Sequence, residues 1–174
     1  MKQVLSILVQ NQPGVLVRVA SMFSRRGFNI DSLTVGVTQN PDVSRMTVVI
    51  YGNEAVMNQV VKQLAKLVEV LSVQILPPED SVTRGMALVK VHTGDRRSEV
   101  LKLAEVFRAN VVDLKEETLT LEITGEDNKI CAFTDVLKPF GILEMIRTGL
   151  VGLERGTNVM YKWEDKDNLE HHVL

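Results

Sequence analysis

The hydrophobic pattern of the chain changes its period at one short stretch, Asn11-Gln12-Pro13-Gly14. Before this stretch, residues 4–9 form an apolar, β-rich run that is interrupted by Ser6, as in a largely buried β-strand. After it, apolar residues recur every three or four positions, as in an amphipathic helix. These positions are Leu16, Val19, Ala20 and Phe23. Because asparagine, proline and glycine commonly mark turns, the pattern predicts a tight turn from a strand into a helix.

A helix that begins directly after Gly14 would present unpaired backbone N–H groups and the positive end of its dipole. Such a helix start suits a small anion, and a free carboxylate most simply. Glycine favours this interpretation because it has no Cβ to obstruct a ligand and accepts backbone angles that other residues avoid. An ordinary turn without a ligand would also account for the same residues.

The composition of the 174-residue chain argues against several classes of protein. A hydrophobic content of 45% supports one domain, or two small domains, with a real core. The net charge of -2, without a dominant basic block, argues against nucleic-acid binding. No apolar run is long enough to cross a membrane, and the N-terminus enters a strand directly. We therefore expect no signal peptide, no membrane partner and a cytoplasmic location.

The first half of the chain follows the order β-α-β-β-α-β. After the first strand and helix, two β-rich runs lie within residues 28–51. Gly52-Asn53 opens a second helix, and an apolar run at residues 68–75 closes the unit as a strand. This order is the ferredoxin-like plan. The polar, proline-rich stretch that follows is a good boundary, so we predict a first domain at residues 1–77 and a linker at residues 78–85.

The same order repeats in the second half. Asp127 or Asn128 is predicted to cap its second helix, and its last strand covers residues 142–146. We therefore predict an α+β protein with a second ferredoxin-like domain at residues 86–160, and a charged, mobile tail at residues 161–174. In the strand-to-helix turn of this second repeat, Asp95 places a carboxylate where a carboxylate ligand would need to sit. A ligand site would therefore belong to the first domain.

Motifs for covalent catalysis are missing from the chain. It has no phosphate-cradling G-x-x-x-x-G-K-[ST] and no G-x-G-x-x-G after a strand. His92 is the only histidine outside the tail, and a structural or surface role is expected for it; the adjacent His171-His172 is a weak metal signal. The single Cys131 lies in a helical pattern that predicts a buried, unreactive thiol. We expect no catalytic residue, metal or cofactor on this chain.

Several blocks of the sequence, in the same order along the chain, resemble the small regulatory subunit of acetolactate synthase (acetohydroxyacid synthase). The blocks are Asn11-Gln12-Pro13-Gly14-Val15-Leu16, Arg26-Gly27-Phe28-Asn29-Ile30-Asp31-Ser32-Leu33, Ser44-Arg45-Met46-Thr47, Lys66-Leu67-Val68-Glu69-Val70 and Arg147-Thr148-Gly149-Leu150-Val151-Gly152-Leu153-Glu154-Arg155-Gly156. The resemblance spans about residues 2–160. Several blocks in the right order are far more specific than any one of them. The charged tail is longer than we expect for the family.

The resemblance implies an N-terminal ACT domain followed by a second ferredoxin-like domain. Such subunits are expected to be non-catalytic, to activate a separate large subunit, and to confer feedback inhibition by valine in branched-chain amino-acid biosynthesis. The large subunit is expected to carry thiamine diphosphate, Mg2+ and FAD. ACT domains generally pair, so a homodimer with amino-acid sites at its interface is implied. In this family the residues that match Asn11, Gly14, Val15, Asn29 and Ile30 are associated with the valine site.

The residues themselves fit an amino-acid ligand. The predicted helix start can supply N–H donors for the carboxylate, and the side-chain oxygens of Asn11 and Asn29 can accept hydrogen bonds from the ammonium group. Val15, Ile30 and Leu33 are placed to form a shallow apolar wall for a small aliphatic side chain. The predicted valine-binding residues are Asn11, Gly14, Val15, Leu16, Asn29, Ile30 and Leu33.

The residues alone leave other classes of function open. One is an ACT-type amino-acid-binding regulator of another enzyme or of transcription, although no basic recognition helix precedes the repeat. Another is a small enzyme with a ferredoxin-like fold. The sequence does not rank valine, leucine and isoleucine as ligands, because a pocket of this kind discriminates one methylene by only roughly 10- to 200-fold.

Overall fold

The computed structural model of the chain describes residues 1–160 and 172–173. The chain divides into two compact units. Unit 1 contains Met1–Val82 together with the segment that begins at Gly149, and unit 2 contains Thr83–Thr148.

Unit 1 is built on four antiparallel strands and two helices. Its elements are β1 (Lys2–Gln10), α1 (Val15–Arg25), β2 (Ile30–Val37), β3 (Val43–Tyr51), α2 (Glu54–Leu64) and β4 (Val70–Leu76). The four strands lie in the order β4-β1-β3-β2. Alternate residues of the central strands β1 and β3 pack with both helices in one buried core. The predicted ferredoxin-like arrangement of the first repeat is confirmed.

Unit 2 has the same arrangement. Its elements are β5 (Ser81–His92), α3 (Arg97–Phe107), β6 (Asn110–Leu114), β7 (Thr118–Gly125), α4 (Asp127–Leu137) and β8 (Ile142–Arg147). The strand order is β6-β7-β5-β8, which matches unit 1 when each strand is replaced by its counterpart. The core joins alternate residues of β5 and β7 to both helices, and the rings of Phe107 and Phe133 lie 5.2 Å apart within it. The α+β class with two ferredoxin-like units is therefore confirmed.

Two further strands follow β8. Strand β9 (Val151–Glu154) contacts β1 and β4, and the two-residue strand β10 (His172–Val173) pairs in parallel with β4. The sequence pattern predicts a second domain that includes residues 149–160, and it predicts no strand there. In the structure this segment groups with unit 1 instead. The remainder of the predicted mobile tail, residues 161–171 and 174, lies outside the described residues.

The ends of α1 follow directly from its sequence. The buried residues lie on one stripe of the helix: Val15, Val19, Met22 and Phe23. The helix ends at Arg25, and the amides of Arg26 and Gly27 return to the carbonyls of Phe23 and Ser24. Gly27 has a φ of 71°, a left-handed angle that glycine adopts without steric cost. A glycine directly after an apolar helical pattern is typical of a helix stop, and the structure shows such a stop here.

Three local expectations differ from the structure. Strand β5 already begins at Ser81, so the connection from β4 is shorter than the predicted linker at residues 78–85. Glu126, rather than Asp127 or Asn128, occupies the N-cap position of α4. Asp127 is the first residue of the helix, and its side chain accepts a hydrogen bond from Arg147 at 2.5 Å.

Cys131 is exposed, so the prediction of a buried thiol is wrong. The buried stripe of α4 consists of Ile130, Phe133, Thr134 and Leu137. This stripe leaves position 131 on the outer side of the helix. There Arg147 Nη1 lies 3.5 Å from the Cys131 sulfur.

The start of α2 provides a test of local stability. The side chain of Asn53 caps the helix, since its Oδ1 accepts a hydrogen bond from the Val56 amide at 3.0 Å. Asn53→Ala should lower the free energy of unfolding by about 1 kcal/mol because it removes this cap. Asn58→Ala, an exposed change within the same helix, should cost less than about 0.5 kcal/mol. Urea denaturation of both variants would contradict the assignment if the two losses were equal.

Candidate functional site

The turn between β1 and α1 depends on the backbone of Gly14. This residue has a φ of 87° and a ψ of -13°, in the left-handed region, and it occupies the N-cap position of α1. A Cβ built on Gly14 would meet no atom within 4 Å. The turn therefore requires glycine because of its left-handed φ angle and not because of a steric clash, and the space where a Cβ would lie is open.

The first turn of α1 keeps several donors unused. The Val15 amide donates to the Gln12 carbonyl at 3.4 Å, and the first regular helical bond runs from the Arg18 amide to the Gly14 carbonyl at 3.0 Å. Within the described residues, the amides of Leu16 and Val17 donate no hydrogen bond. Among residues 1–160, no side chain caps the helix, and its first turn contains no acidic residue. These donors, together with the helix dipole, make the turn electropositive and suited to a carboxylate.

A neighbouring loop, which the sequence analysis did not assign to the site, fixes Asn11. The Asn11 side-chain amide donates from Nδ2 to the Pro41 carbonyl at 2.8 Å, and its backbone amide donates to the Asp42 carbonyl at 2.7 Å. Because Nδ2 is engaged in this way, Oδ1 of Asn11 remains the acceptor available to a ligand. The residue types of Gln39-Asn40-Pro41-Asp42 indicate a turn, but a contact across 30 residues has no local signature in the sequence.

The other predicted site residues lie in and next to the edge strand β2. Asn29 is exposed directly before the strand, and Ile30 and Leu33 are half-buried against the core cluster that contains Val15. Val15 is itself only 4% exposed, so its side chain belongs to the core, whereas Leu16 is 43% exposed. The structure thus places Ile30, Leu33 and Val15 around one buried cluster. The assignment of all seven residues to an amino-acid site stays a prediction.

The equivalent turn in unit 2 is built differently. A short 3₁₀ turn, Gly94–Arg96, precedes α3, and the side chain of Arg96 donates hydrogen bonds to Glu99 in the first helical turn. The hydrogen bond from Arg96 lowers the pKa of Glu99, and in return raises that of Arg96. The Arg96 guanidinium also lies 4.1 Å from the centre of the Phe140 ring. An internal carboxylate therefore stands at this helix start, in contrast to the start of α1.

Two kinds of feature are absent from the described residues. No helix among them is long and apolar enough to span a membrane. In the same part of the chain, no group of three or more histidine, cysteine, aspartate or glutamate side chains is arranged to hold a metal ion.

Comparison with known families first defines the class of the protein. Residues 5–72 match the family model of the AHAS small subunit-like ACT domain. Unit 1, with its ferredoxin-like sheet and open helix start, therefore contains an ACT domain. Residues 84–156 match the model of the small subunit of acetolactate synthase.

Individual relatives agree with both family models. The chain is 46% identical over 157 residues to the probable acetolactate synthase small subunit of Archaeoglobus fulgidus, covering 90% of this chain and 98% of that protein. It is 48% identical over 153 residues to the acetolactate synthase small subunit of Mycobacterium bovis, covering 87% and 91%. The crystal structure of the acetolactate synthase small subunit from Thermotoga maritima matches with a TM-score of 0.86 at 39% identity, over 91% of this chain and 99% of that one. The chain belongs to the acetolactate synthase small-subunit family, and the resemblance drawn from its sequence blocks is confirmed.

The angle at Gly14 gives a direct test of the turn. Gly14→Ala should lower the free energy of unfolding by about 1–2 kcal/mol, because a residue with a Cβ is strained in the left-handed region. Gly36→Ala in β2 is the matched control, since its Cβ would meet no atom within 4 Å and its φ is not left-handed. It should change stability by less than about 0.5 kcal/mol. Equal losses in chemical denaturation would show that the angle at Gly14 carries no such constraint.

Proposed function

We propose that this chain is a regulatory, non-catalytic subunit that activates the catalytic large subunit of acetolactate synthase and confers feedback inhibition by valine. The family membership supports the pairing with a large subunit. The observation that supports an amino-acid effector is the uncapped start of α1, where the amides of Leu16 and Val17 stay unused beside the open space at Gly14. Under this proposal the effector is an end product of branched-chain amino-acid biosynthesis.

The effector carboxylate lies at the start of α1. Its negative charge is complemented by the unpaired N–H groups and by the positive end of the helix dipole. Its ammonium group faces the Oδ1 atoms of Asn11 and Asn29. The hydrogen bonds of Asn11 to the loop at Pro41 and Asp42 hold that acceptor in place before the ligand arrives.

The aliphatic side chain of the effector lies against apolar residues. Leu16 is 43% exposed at the helix start, and Ile30 and Leu33 are half-buried at the edge of the core. Burial of one methylene contributes about 0.8 kcal/mol to binding. Because valine has two more carbon atoms than alanine, it should bind about tenfold more tightly. The turn at Asn11–Gly14 carries no acidic or basic side chain, which favours an aliphatic amino acid.

A second copy of the chain completes the site at β2. In the described residues this eight-residue strand pairs on one side alone, with β3, and an uncovered strand edge of this length is a template for pairing. Val35 and Val37 on the strand are 41% and 59% exposed, and Val17 on the neighbouring helix is 67% exposed. Pairing of two β2 edges would cover these side chains. It would also place the effector between two ACT domains, so that its occupancy changes the dimer.

The catalytic chemistry belongs to the partner. Under this proposal the large subunit carries thiamine diphosphate, Mg2+ and FAD, and makes acetolactate from pyruvate. This chain shifts the partner between a more active and a less active arrangement. Valine inhibits to the extent that it prefers one arrangement, and such couplings are typically 1–3 kcal/mol.

The matched pair Gly14→Asp and Gly14→Asn tests the effector site. Asparagine and aspartate are nearly equal in size and both tolerate the left-handed region, so the two variants differ mainly by one negative charge. The aspartate should repel the effector carboxylate and weaken valine binding by at least about tenfold relative to the asparagine variant. Isothermal titration calorimetry measures the difference.

The same variants test the regulatory role in an enzyme assay. Purified large subunit should be activated equally by both variants, whereas a given concentration of valine should inhibit the enzyme with the asparagine variant more strongly than the enzyme with the aspartate variant. Equal valine affinities for the two variants would overturn the proposed site. A chain that neither co-purifies with the large subunit nor raises its activity would overturn the proposed function.

Asn29→Ala tests the ammonium contact. A hydrogen bond to a charged group contributes about 1.5–3 kcal/mol, so valine affinity should fall by roughly 10- to 150-fold. Asn128→Ala, an exposed change in unit 2, is the control and should leave the titration unchanged. An unchanged titration for Asn29→Ala would remove this residue from the site.

A further inference from the structure

The sheet of unit 1 is covered on the side that faces away from its helices. On β1, Leu5, Ile7 and Val9 belong to the core with the helices, so Ser6 and Leu8 point to the opposite face. Both residues are nevertheless fully buried. Leu8 packs with Val43, Leu71 and Met160. The segment at residues 149–154, here called the strap, also lies on this side, and its strand β9 contacts β1 and β4.

The strap covers a row of polar side chains. Thr34, Thr47, Ser6 and Gln74 are neighbours in the strand register of β2, β3, β1 and β4. Thr47 is 3% exposed, and the buried hydroxyls of Ser6 and Thr34 have no hydrogen-bond partner among the described residues. Buried hydroxyls without partners oppose burial. These hydroxyls would be more stable in contact with water, so the contact of the strap with this row of side chains contributes little to its stability in the bound position.

The two ends of the strap rest on opposite edges of this row. At one end, Gly149 lies so close to β2 that a Cβ would be 2.5 Å from the Thr34 hydroxyl and 3.1 Å from the Leu33 carbonyl carbon and oxygen. At the other end, the Glu154 carboxylate accepts a hydrogen bond from the Gln74 side chain. The Arg155 amide donates to the Asp80 carbonyl at 2.6 Å.

The contact at Gly149 lies directly behind the proposed effector site. Leu33 pairs with Val48 on the face that packs against the core, and the next residue, Thr34, points to the strap. A shift of the β2 backbone at Leu33 therefore moves the surface on which Gly149 rests. Gly149 follows Thr148, whose amide donates to the Met86 carbonyl of unit 2 at 2.9 Å.

From this contact we propose that the strap is a regulatory coupling element: effector occupancy at β2 changes the seating of Gly149 on Leu33 and Thr34, and the strap passes this change to the strand that precedes it in unit 2. The inference rests on the proposed function, because it assumes that an aliphatic amino acid binds beside β2. Its new content is the assignment of the strap, and of Gly149 as a positioning residue, to the transmission of the signal.

Hydrogen-exchange mass spectrometry of the full chain, with and without saturating valine, tests the coupling. Valine should change the exchange rate of strap amides at residues 150–154 by at least about fivefold in wild type. Gly149→Ala should unseat the strap, because its Cβ collides with backbone as well as with Thr34. In this variant strap exchange should be fast whether or not valine is present. Asn58→Ala, an exposed change in α2 that lies outside both the strap and the proposed dimer edge, should behave as wild type.

A second variant guards against misfolding of Gly149→Ala. Glu154→Ala removes the acceptor that Gln74 uses at the far end of the strap, without adding any atom. It should also speed strap exchange and reduce its response to valine. Because coupling is reciprocal, at least one of the two variants should change the Kd for valine by about threefold or more in calorimetry.

The outcomes separate this inference from the proposed function. If wild type binds valine but strap exchange does not respond, the strap is only a structural cover and the inference is overturned. If both variants speed strap exchange while the Kd for valine stays unchanged, the coupling is likewise overturned. If wild type binds none of valine, leucine and isoleucine, the proposed effector site and this inference both fail.

Discussion

The left-handed backbone of Gly14 is the constraint on which the N-terminal unit depends. It lets the chain leave a buried central strand and enter α1 with no side chain at the cap. A serine, aspartate or asparagine cap would stabilise the helix by about 0.5–2 kcal/mol, but its oxygen would occupy one of the first donors. With glycine at this position the helix gives up that stabilisation, and the amides of Leu16 and Val17 remain unused. The glycine at position 14 therefore explains both the tight turn from β1 into α1 and the unused amides of the first helical turn.

The two units show how one topology can be used for different purposes. Both have the strand order of a ferredoxin-like sheet and a helix that follows the first strand. In unit 1 the helix start has no acidic residue and no cap, whereas in unit 2 Arg96 and Glu99 pair at the corresponding place. The difference lies in a few turn residues, because the cores that fix each unit are equivalent. This agrees with the general rule that function resides in sites placed on folds.

Much of the architecture could be predicted because it is encoded locally. The change of hydrophobic period at Asn11–Gly14 and the capping residue Asn53 indicate where two helices begin, and Gly27 indicates where the first helix ends. The contacts that the sequence does not reveal are non-local. Residues 149–154 contain two glycines, Gly149 and Gly152, and show no clear strand pattern. Only their contacts with β1 and β4 make them part of unit 1. The contact between Asn11 and the loop at Pro41 was invisible for the same reason.

The site could be predicted only in part, since sequence spacing locates residues along an element but not their exposure. Val15 follows Gly14 directly, yet its side chain faces the core and not the open space. Cys131 fits an apolar helical pattern, yet it lies one position after the buried residue Ile130 and is therefore on the exposed side of α4. Both cases reflect the packing of a helix face against a particular sheet, which a single sequence does not specify.

Nuclear magnetic resonance of the 15N-labelled chain shows directly whether the start of α1 binds the carboxylate of an aliphatic amino acid. Valine is compared with valinamide, which keeps the side chain and the amine but lacks the negative charge. We expect valine to shift the amide resonances of Gly14, Leu16 and Val17, and valinamide to leave them in place. Amides that stay unshifted with valine, or that respond equally to valinamide, would show that this helix start does not bind the carboxylate.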